Sequence, residues 1–471
     1  MHVEKEYSAQ TLAYSRINVW DRLSNQEKAT AMGFCEDYKR YLNDCKTERE
    51  TVDVTVAQLR GAGFLPLSGG VRLKAGDKIF AVNRQKALIA AVIGSKPLEY
   101  GLNLVGAHVD SPRLDLKPQP LYEEEGLALF KTHYYGGVKK YQWLSLPLAL
   151  HGVAVKADGN VVPVVIGEAP GDPIFTITDL LPHLAKDQME KKMIDAVPGE
   201  SLNVLAAGMP LGGVELKERF KLYVLEYLHR IYGINEEDLI SAELELVPAW
   251  SARDTGLDRS FVAAYGQDDR VCAYTALRAI IDTPNPIRTS MLLLADKEEI
   301  GSFGNTGMNS AFFEHTVAEI VSRCMPSYSD LLVRRVLANS FALSADVNVG
   351  LDPNFGDVVE KMNTARLGCG VVLTKYTGSR GKSASSDAHA EVVATIRRLF
   401  NSAEVTWQTG ELGKVDQGGG GTIAHFLAEH GMDVLDCGVP LLGMHSPLEV
   451  ASKADIYMAY QGYRAFLAGL Q

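Results

Sequence analysis

The chain reads as an α/β protein whose main domain is built from both of its ends and interrupted by a β-rich insertion. Three observations predict this. From Phe261 onward, apolar strand-like runs alternate with amphipathic helical patterns, as in layered α/β domains. Between 115 and 250 the texture changes to Val-rich runs and turns. At 471 residues the chain also exceeds the size at which one core stops growing, so two domains are expected. The boundaries that follow are 1–114 and 251–471 for the α/β domain and 115–250 for the insertion.

The elements follow in order. Ser24 and Glu27 make a capping-box pattern ahead of Met32, Cys35, Tyr38, Leu42 and Cys45 at helical spacing. A shorter helix through Val56 and Leu59 ends at Gly61 or Gly63. KIFAV and ALIAAVIG read as strands, and residues 102–106 as a buried one. In HGVAVKADGNVVPVVIG, Asp158-Gly159 marks a hairpin between two Val-rich runs. A polar helix is expected over 179–192 and another over ERFKLYVLEYLHRIYG, with AELELVPAW as a strand returning to the core.

Composition bounds the function. An apolar fraction of 46% with 22% charged residues is ordinary for a globular chain. A formal charge of -11 argues against a nucleic-acid surface. No run is long enough to cross a bilayer, MLLLA and GVVLT being short buried strands. MHVEKEYSAQ lacks the apolar centre of a signal peptide, so a cytoplasmic location is expected. Cys35, Cys45, Cys272, Cys324, Cys369 and Cys437 show no CxxC or CxxH spacing, which favours reduced thiols.

The chemistry concentrates where apolar runs end. In LLLADKEEIGS, Glu298 and Glu299 stand between a strand and a Gly-rich turn, and two adjacent carboxylates repel unless something positive holds them. The useful division is one on a metal and the other as proton shuttle. LNLVGAHVDSPRLDL delivers His108 and Asp110, a spacing that lets the carboxylate bind or orient the far nitrogen of the imidazole. FVAAYGQDDRVCAYTAL places Asp268 and Asp269 at the start of an apolar helix, whose N-terminus favours negative charge. FALSADVNVG ends at Asp346, and VLDCGVPLLGMHSPLEV delivers His445 ahead of a helix. Each alone reads equally as a cap, a turn or a core histidine. Together they place hard ligands beyond the carboxyl ends of strands, where open α/β sheets bind ligands.

Other motifs fail. GSRGKS lacks the first glycine of a P-loop, which is Tyr376 here. Glycines 418–421 open a helix and suit an anion, backbone approach to a substrate or, equally, close helix–strand packing. There is no HExxH and no GxSxG.

The segments GAHVDSPRLDLKP, DDR with its helix, DKEEIGS, SADV and GMHSPLE resemble, in order and context, those of the aspartyl aminopeptidase and vacuolar aminopeptidase I family of zinc aminopeptidases. The resemblance covers nearly the whole chain and is weakest in the insertion. It implies a di-zinc exopeptidase core, a mixed sheet with helices on both faces, and an inserted dimerisation domain. It implies two divalent metals bridged by Asp268, one also held by His108 and Asp346, the other by Glu299 and His445. Glu298 would be the general base, Asp110 would orient His108, and His183 would complete the site of a neighbouring subunit. Zn²⁺ suits these ligands, with Mn²⁺ or Co²⁺ as alternatives. The family's basic residue for acidic side chains has no single match, with Lys375, Arg380 and Lys382 as candidates.

The expected function is a metalloaminopeptidase acting on peptides, in a homo-oligomer that the resemblance makes a tetrahedral dodecamer. Asp269 serves either to hold the substrate amine or to cap its helix. Alternatives are a di-zinc deacylase on the same core and a non-catalytic assembly protein. The insertion carries none of the ligand segments, so it is expected to build assembly contacts and not the site. Its runs LSLPLALHGVAV and NVLAAGMPLGGV are the expected contact faces.

Overall fold

A computed structural model describes residues 12–213, 215–378, 380–383 and 385–470; the decapeptide MHVEKEYSAQ lies outside them. A nine-stranded mixed sheet organises the main domain. Its order is Leu65–Pro66, Lys78–Asn83, Ala87–Val92, Thr289–Ala295, Leu102–His108, Phe341–Ser344, Asp433–Gly438, Val371–Thr374 and Trp407–Thr409. The four strands from Thr289–Ala295 to Asp433–Gly438 pair in parallel, so their carboxyl ends open on one side. That shared edge positions the site.

Alternation along these strands explains the two helical layers. Val105, Leu292, Leu343 and Leu435 face one core with the helices Asn25–Asp44, Gln267–Ile281 and Lys453–Gly469. Leu104, Met291, Ala342 and Val434 face the other, under Phe312–Cys324 and Asp330–Ala338. Such strands are apolar on both faces, which is why they read as continuous runs. The predicted capping box is present, Glu27 N–H donating to Ser24 Oγ at 3.3 Å and Ser24 N–H to Glu27 at 2.8 Å. A second one, Thr47 with Glu50, begins the helix Glu48–Gly61.

The insertion forms a six-stranded sheet with its own core, backed by the helix Arg219–Tyr232. The hairpin at Asp158-Gly159 is where expected, between Leu148–Val155 and Val161–Ile166. Three expectations change. The helix over 179–192 is replaced by the short pieces Pro182–Leu184, Lys186–Met189 and Met193–Ala196. Pro182 interrupts its start, and Leu180, Leu181, Leu184 and Met189 stay exposed, so no helical face is buried. AELELVPAW stays in the inserted sheet, Ala242–Pro248 lying between Leu148–Val155 and Arg113–Glu124. LSLPLALHGVAV is mostly interior, with Leu148, Ala149, Leu150 and Ala154 in the insertion's core.

Charged side chains join the two parts. Arg113 reaches Glu48 at 3.3 Å, Asp115 at 2.8 Å and Glu245 at 3.1 Å, while Lys86 reaches Glu48 at 2.9 Å. His151 lies between Glu50 at 2.8 Å and Glu168 at 3.1 Å. Burial alone would lower the His151 pKa, but its hydrogen bonds to Glu168 and Glu50 outweigh this and raise it above the ordinary value of about 6.5. Because the folded value is raised, this stabilisation is complete below about pH 6.5 and is lost as pH rises through the folded value. We expect His151→Gln to lower the melting temperature most at pH 6 and least at pH 9, read by thermal unfolding; a pH-independent difference would contradict it.

Candidate metal centre

Each candidate ligand sits where the chain leaves regular structure. His108 ends the strand Leu102–His108, and Asp346 follows Phe341–Ser344 by two residues. Glu298 and Glu299 start a 3-10 turn after Thr289–Ala295, behind Lys297 at φ 66°. His445, at φ 64°, follows Pro440–Leu442 and precedes the strand Glu449–Ser452, not a helix directly. Asp268 lies at the start of Gln267–Ile281 with extended backbone, φ −79° and ψ 107°, which turns its side chain away from the helix path.

The structure gathers His108, Asp268, Glu298, Glu299, Asp346 and His445 around one cavity of about 330 Å³. Asp268 Oδ1 is 3.2 Å from His108 Nε2, and its Oδ2 is 3.2 Å from His445 Nε2. His445 Nε2 is also 3.4 Å from Glu299 Oε1, and His108 Nε2 is 4.0 Å from Glu298 Oε2. Ligand atoms of His108, Asp268 and Glu299, and of His108, Asp269 and Asp346, lie within 4.8 Å of one another. One carboxylate thus presents its two oxygens to two separate imidazoles.

Charge is unbalanced here. Acidic groups outnumber the two imidazoles, and no lysine or arginine lines the cavity among the described residues. Burial and then neighbouring carboxylates push Glu299 and Asp346 well above the usual range. Burial also pushes Glu298 up to about 7, against the attraction of His108. Hydrogen bonds from His108 and His445 overcome burial at Asp268 and hold it low, while Asp268 and Glu299 raise His445 to about 10 despite its burial. Glu299 Oε1 and Asp269 Oδ1 are buried without a hydrogen-bond partner among the described residues. Hard oxygen and imidazole donors with orphaned acceptors fit divalent cations well.

Two acids tie the ligand loops together. Asp110 accepts the N–H of Glu298 and of Glu299, both at 3.1 Å, and its Oδ1 lies 3.4 Å from His108 Nδ1. His108 Nδ1 meets the Asp110 backbone carbonyl at 3.0 Å, closer than the carboxylate, so one residue both orients the histidine and shapes the turn bearing the glutamates. Glu449, which sequence reasoning passed over, accepts the His445 N–H at 2.8 Å and the Asp268 N–H at 3.1 Å. Its only signal was an acid entering an apolar strand; burial and the Asp268 charge push it up to about 8.

Other expectations are refined. Asp269 accepts the backbone N–H of His108 on Oδ2 at 3.3 Å, while its Oδ1 is buried without a hydrogen-bond partner among the described residues. Glycines 419–421 line the cavity, and the helix after them is only Ala424–Ala428. Lys375, Arg380 and Lys382 do not line it, and Lys382 pairs with Asp387 at 3.2 Å. Beyond the candidate ligands and Glu298, the cavity wall carries Asn348, Thr374, Thr377, Leu412 and Met444, with buried Asp436 held by Thr422 at 2.7 Å. His183 is exposed in the insertion, outside this chain's own cavity. The insertion is not remote, however: Tyr135 donates to Asp110 at 2.9 Å, and Gly137 O is 3.0 Å from His445 Nδ1.

The fold and site define an α/β protein with a buried cluster of histidines and carboxylates that could hold a metal. A family model described as aminopeptidase I zinc metalloprotease (M18) matches residues 41–467. The chain is 51% identical over 454 residues to a probable M18 family aminopeptidase 1 of Clostridium acetobutylicum, covering 96% of this chain and 97% of that one. It is 49% identical over 455 residues to the Thermotoga maritima counterpart, covering 97% and 99%. The crystal structure of an M18 family aminopeptidase from Thermotoga maritima superposes with a TM-score of 0.92 at 47% identity, covering 97% and 100%. The S. cerevisiae mApe1 dodecamer is 22% identical, with a TM-score of 0.74 and coverage of 94% and 97%, a likeness of fold alone. This chain belongs to the M18 family of zinc metalloproteases.

Proposed function

We propose that the protein is a two-metal aminopeptidase that releases N-terminal residues from peptides. The observation that carries this reading is Asp268, whose oxygens each face a different histidine at 3.2 Å. Asp268 would bridge the ions, His108 and Asp346 completing one set and Glu299 and His445 the other. Divalent ions held there, Zn²⁺ by preference and Mn²⁺ or Co²⁺ as alternatives, supply Lewis-acid polarisation of the scissile carbonyl and a hydroxide source at neutral pH.

The chain's own residues do the rest. Glu298 borders the cavity, and its side chain makes no hydrogen bond among the described residues, which leaves it free to exchange protons. It takes the proton of the attacking water and returns it to the leaving nitrogen. Asp110 fixes His108 and the glutamate turn, so base and ligands keep their spacing. We expect Glu298→Gln to retain metal and fold while losing about 10²–10⁴-fold in turnover, and Asp268→Ala to lose metal. Amino-acyl anilides against N-acyl amino acids, with elemental analysis, check both. Near-normal turnover by Glu298→Gln would reverse the roles, and cleavage of the acyl amino acids alone would favour the deacylase.

We assign the substrate's N-terminal residue a neutral or hydrophobic character. Among the cavity's lining residues there is no lysine or arginine, and Leu412 and Met444 offer apolar contact. An anilide panel should show Leu or Met substrates cleaved at least as fast as Glu or Asp ones. A strong acidic preference that disappears in Lys375, Arg380 or Lys382 variants would overturn this.

We also propose that the insertion, residues 115–250, assembles the enzyme into a homo-oligomer, with His183 serving a neighbour's site. Leu180, Leu181, Leu184 and Met189 are each at least half exposed around His183, an apolar patch suited to contact with another subunit. A tetrahedral dodecamer built from dimers is the assembly that the family resemblance implies, and a cytoplasmic setting suits cysteines that are all free thiols. No helix among the described residues is long and apolar enough to cross a membrane. His183→Ala is expected to lower turnover without metal loss, in a particle far larger than 51.3 kDa. A fully active monomer in light scattering would reject the shared site.

A further inference from the structure

We propose that residues 135–137 of the insertion are a positioning element of the metal centre, holding both histidine ligands from outside. Metal affinity then depends on how the inserted sheet seats on the main domain. This rests on the two-metal reading above and deepens it, because the insertion becomes part of the site and not only an assembly device.

Tyr135 ends the strand Leu127–Tyr135, and its hydroxyl donates to Asp110 Oδ2 at 2.9 Å. That same carboxylate lies beside His108 Nδ1 and accepts the N–H groups of Glu298 and Glu299. A phenol from the insertion therefore fixes the residue whose backbone carbonyl, 3.0 Å from Nδ1, orients one histidine and whose carboxylate holds both glutamate amides. Two residues on, the Gly137 carbonyl faces His445 Nδ1 at 3.0 Å. A proton on Nδ1 donated to that carbonyl leaves Nε2 aimed at Asp268 and Glu299. One short segment thus sets the outer partners of both imidazoles.

Space is tight along it. Gly136 has φ +72°, and a Cβ there would sit 3.3 Å from Glu299 Cβ and Oε2. A Cβ on Gly137 would sit 3.1 Å from His445 Nδ1. Either side chain would press on a ligand. The tyrosine is held in turn, with the Arg113 guanidinium 3.9 Å from its ring centroid. Arg113 is its cross-strand partner and is anchored to Glu48, Asp115 and Glu245. The chain of contacts runs from the insertion's strand pairing and the helix Glu48–Gly61 to the ligand atoms.

Outer partners of metal-bound histidines typically change affinity by about 10–100-fold when removed. The test is titration of Zn²⁺ into chelator-stripped protein against a chromophoric competitor. Tyr135→Phe deletes the hydroxyl at nearly constant volume, and Gly137→Ala adds one methyl against His445. Both should weaken Zn²⁺ binding within that range, while Tyr135→Phe keeps the metal-free melting temperature and particle size of the parent. Tyr134→Phe, on a neighbouring side chain that is 41% exposed, should leave affinity unchanged. If the parent takes up two equivalents and Tyr135→Phe binds them equally tightly, the positioning role is overturned and the two-metal reading stands. If the parent takes up none, both are overturned.

Discussion

The buried carboxylate of Asp268 is the constraint around which the rest of the site is arranged. A carboxylate removed from water is costly unless charge and hydrogen bonds replace its hydration. Here the replacement comes from two imidazoles, one on each oxygen, and from the amino end of the helix that Asp268 begins. Holding both histidines at 3.2 Å requires two loops, after Leu102–His108 and after Pro440–Leu442, to arrive on opposite sides of one group. The parallel strands at the middle of the large sheet meet this requirement, because their ends open on the same edge. Asp110 and Glu449 then stitch the loops to one another through backbone amides.

Coupling between the two parts of the chain follows the same logic. The insertion's core is built almost wholly from its own side chains, with Leu114 and Tyr265 of the main domain joining it. Direction comes from charge. Arg113, Glu48, Glu245, Lys86 and His151 form pairs that work only in one register, and leaving one member unpaired would strand a buried charge. Such networks contribute less to stability than to uniqueness of docking. That uniqueness lets the end of an inserted strand and the turn after it touch Asp110 and His445 of the other domain.

Much of the site was legible along the chain because its ligands are chemically conspicuous. Hard acids and imidazoles at the ends of apolar runs stand out, and the order of the segments carried the family resemblance. Glu449 was not legible in the same way, since an acid near a strand start is usually solvated. Tyr135 and Gly137 were invisible for another reason: their roles arise from contacts to residues 25 and 308 positions away. The failed helix over 179–192 shows that polar composition and helix-forming residues do not suffice where no face can be buried.

The sequence by itself determined the periodicities: two-sided apolar strands, capped helices, a β-rich interruption, and the set of ligand types at strand ends. These are local properties, set by side-chain chemistry within a few residues. Only the tertiary structure decided which oxygens meet which nitrogens. It made Asp269 a partner of the His108 backbone, withdrew the lysines and arginine of 375–382 from the cavity, and brought the insertion to the ligands. Those outcomes depend on strand order and on the docking of two separate cores. Neither is encoded in any short window of the chain, because each is the lowest-energy compromise among contacts far apart in sequence.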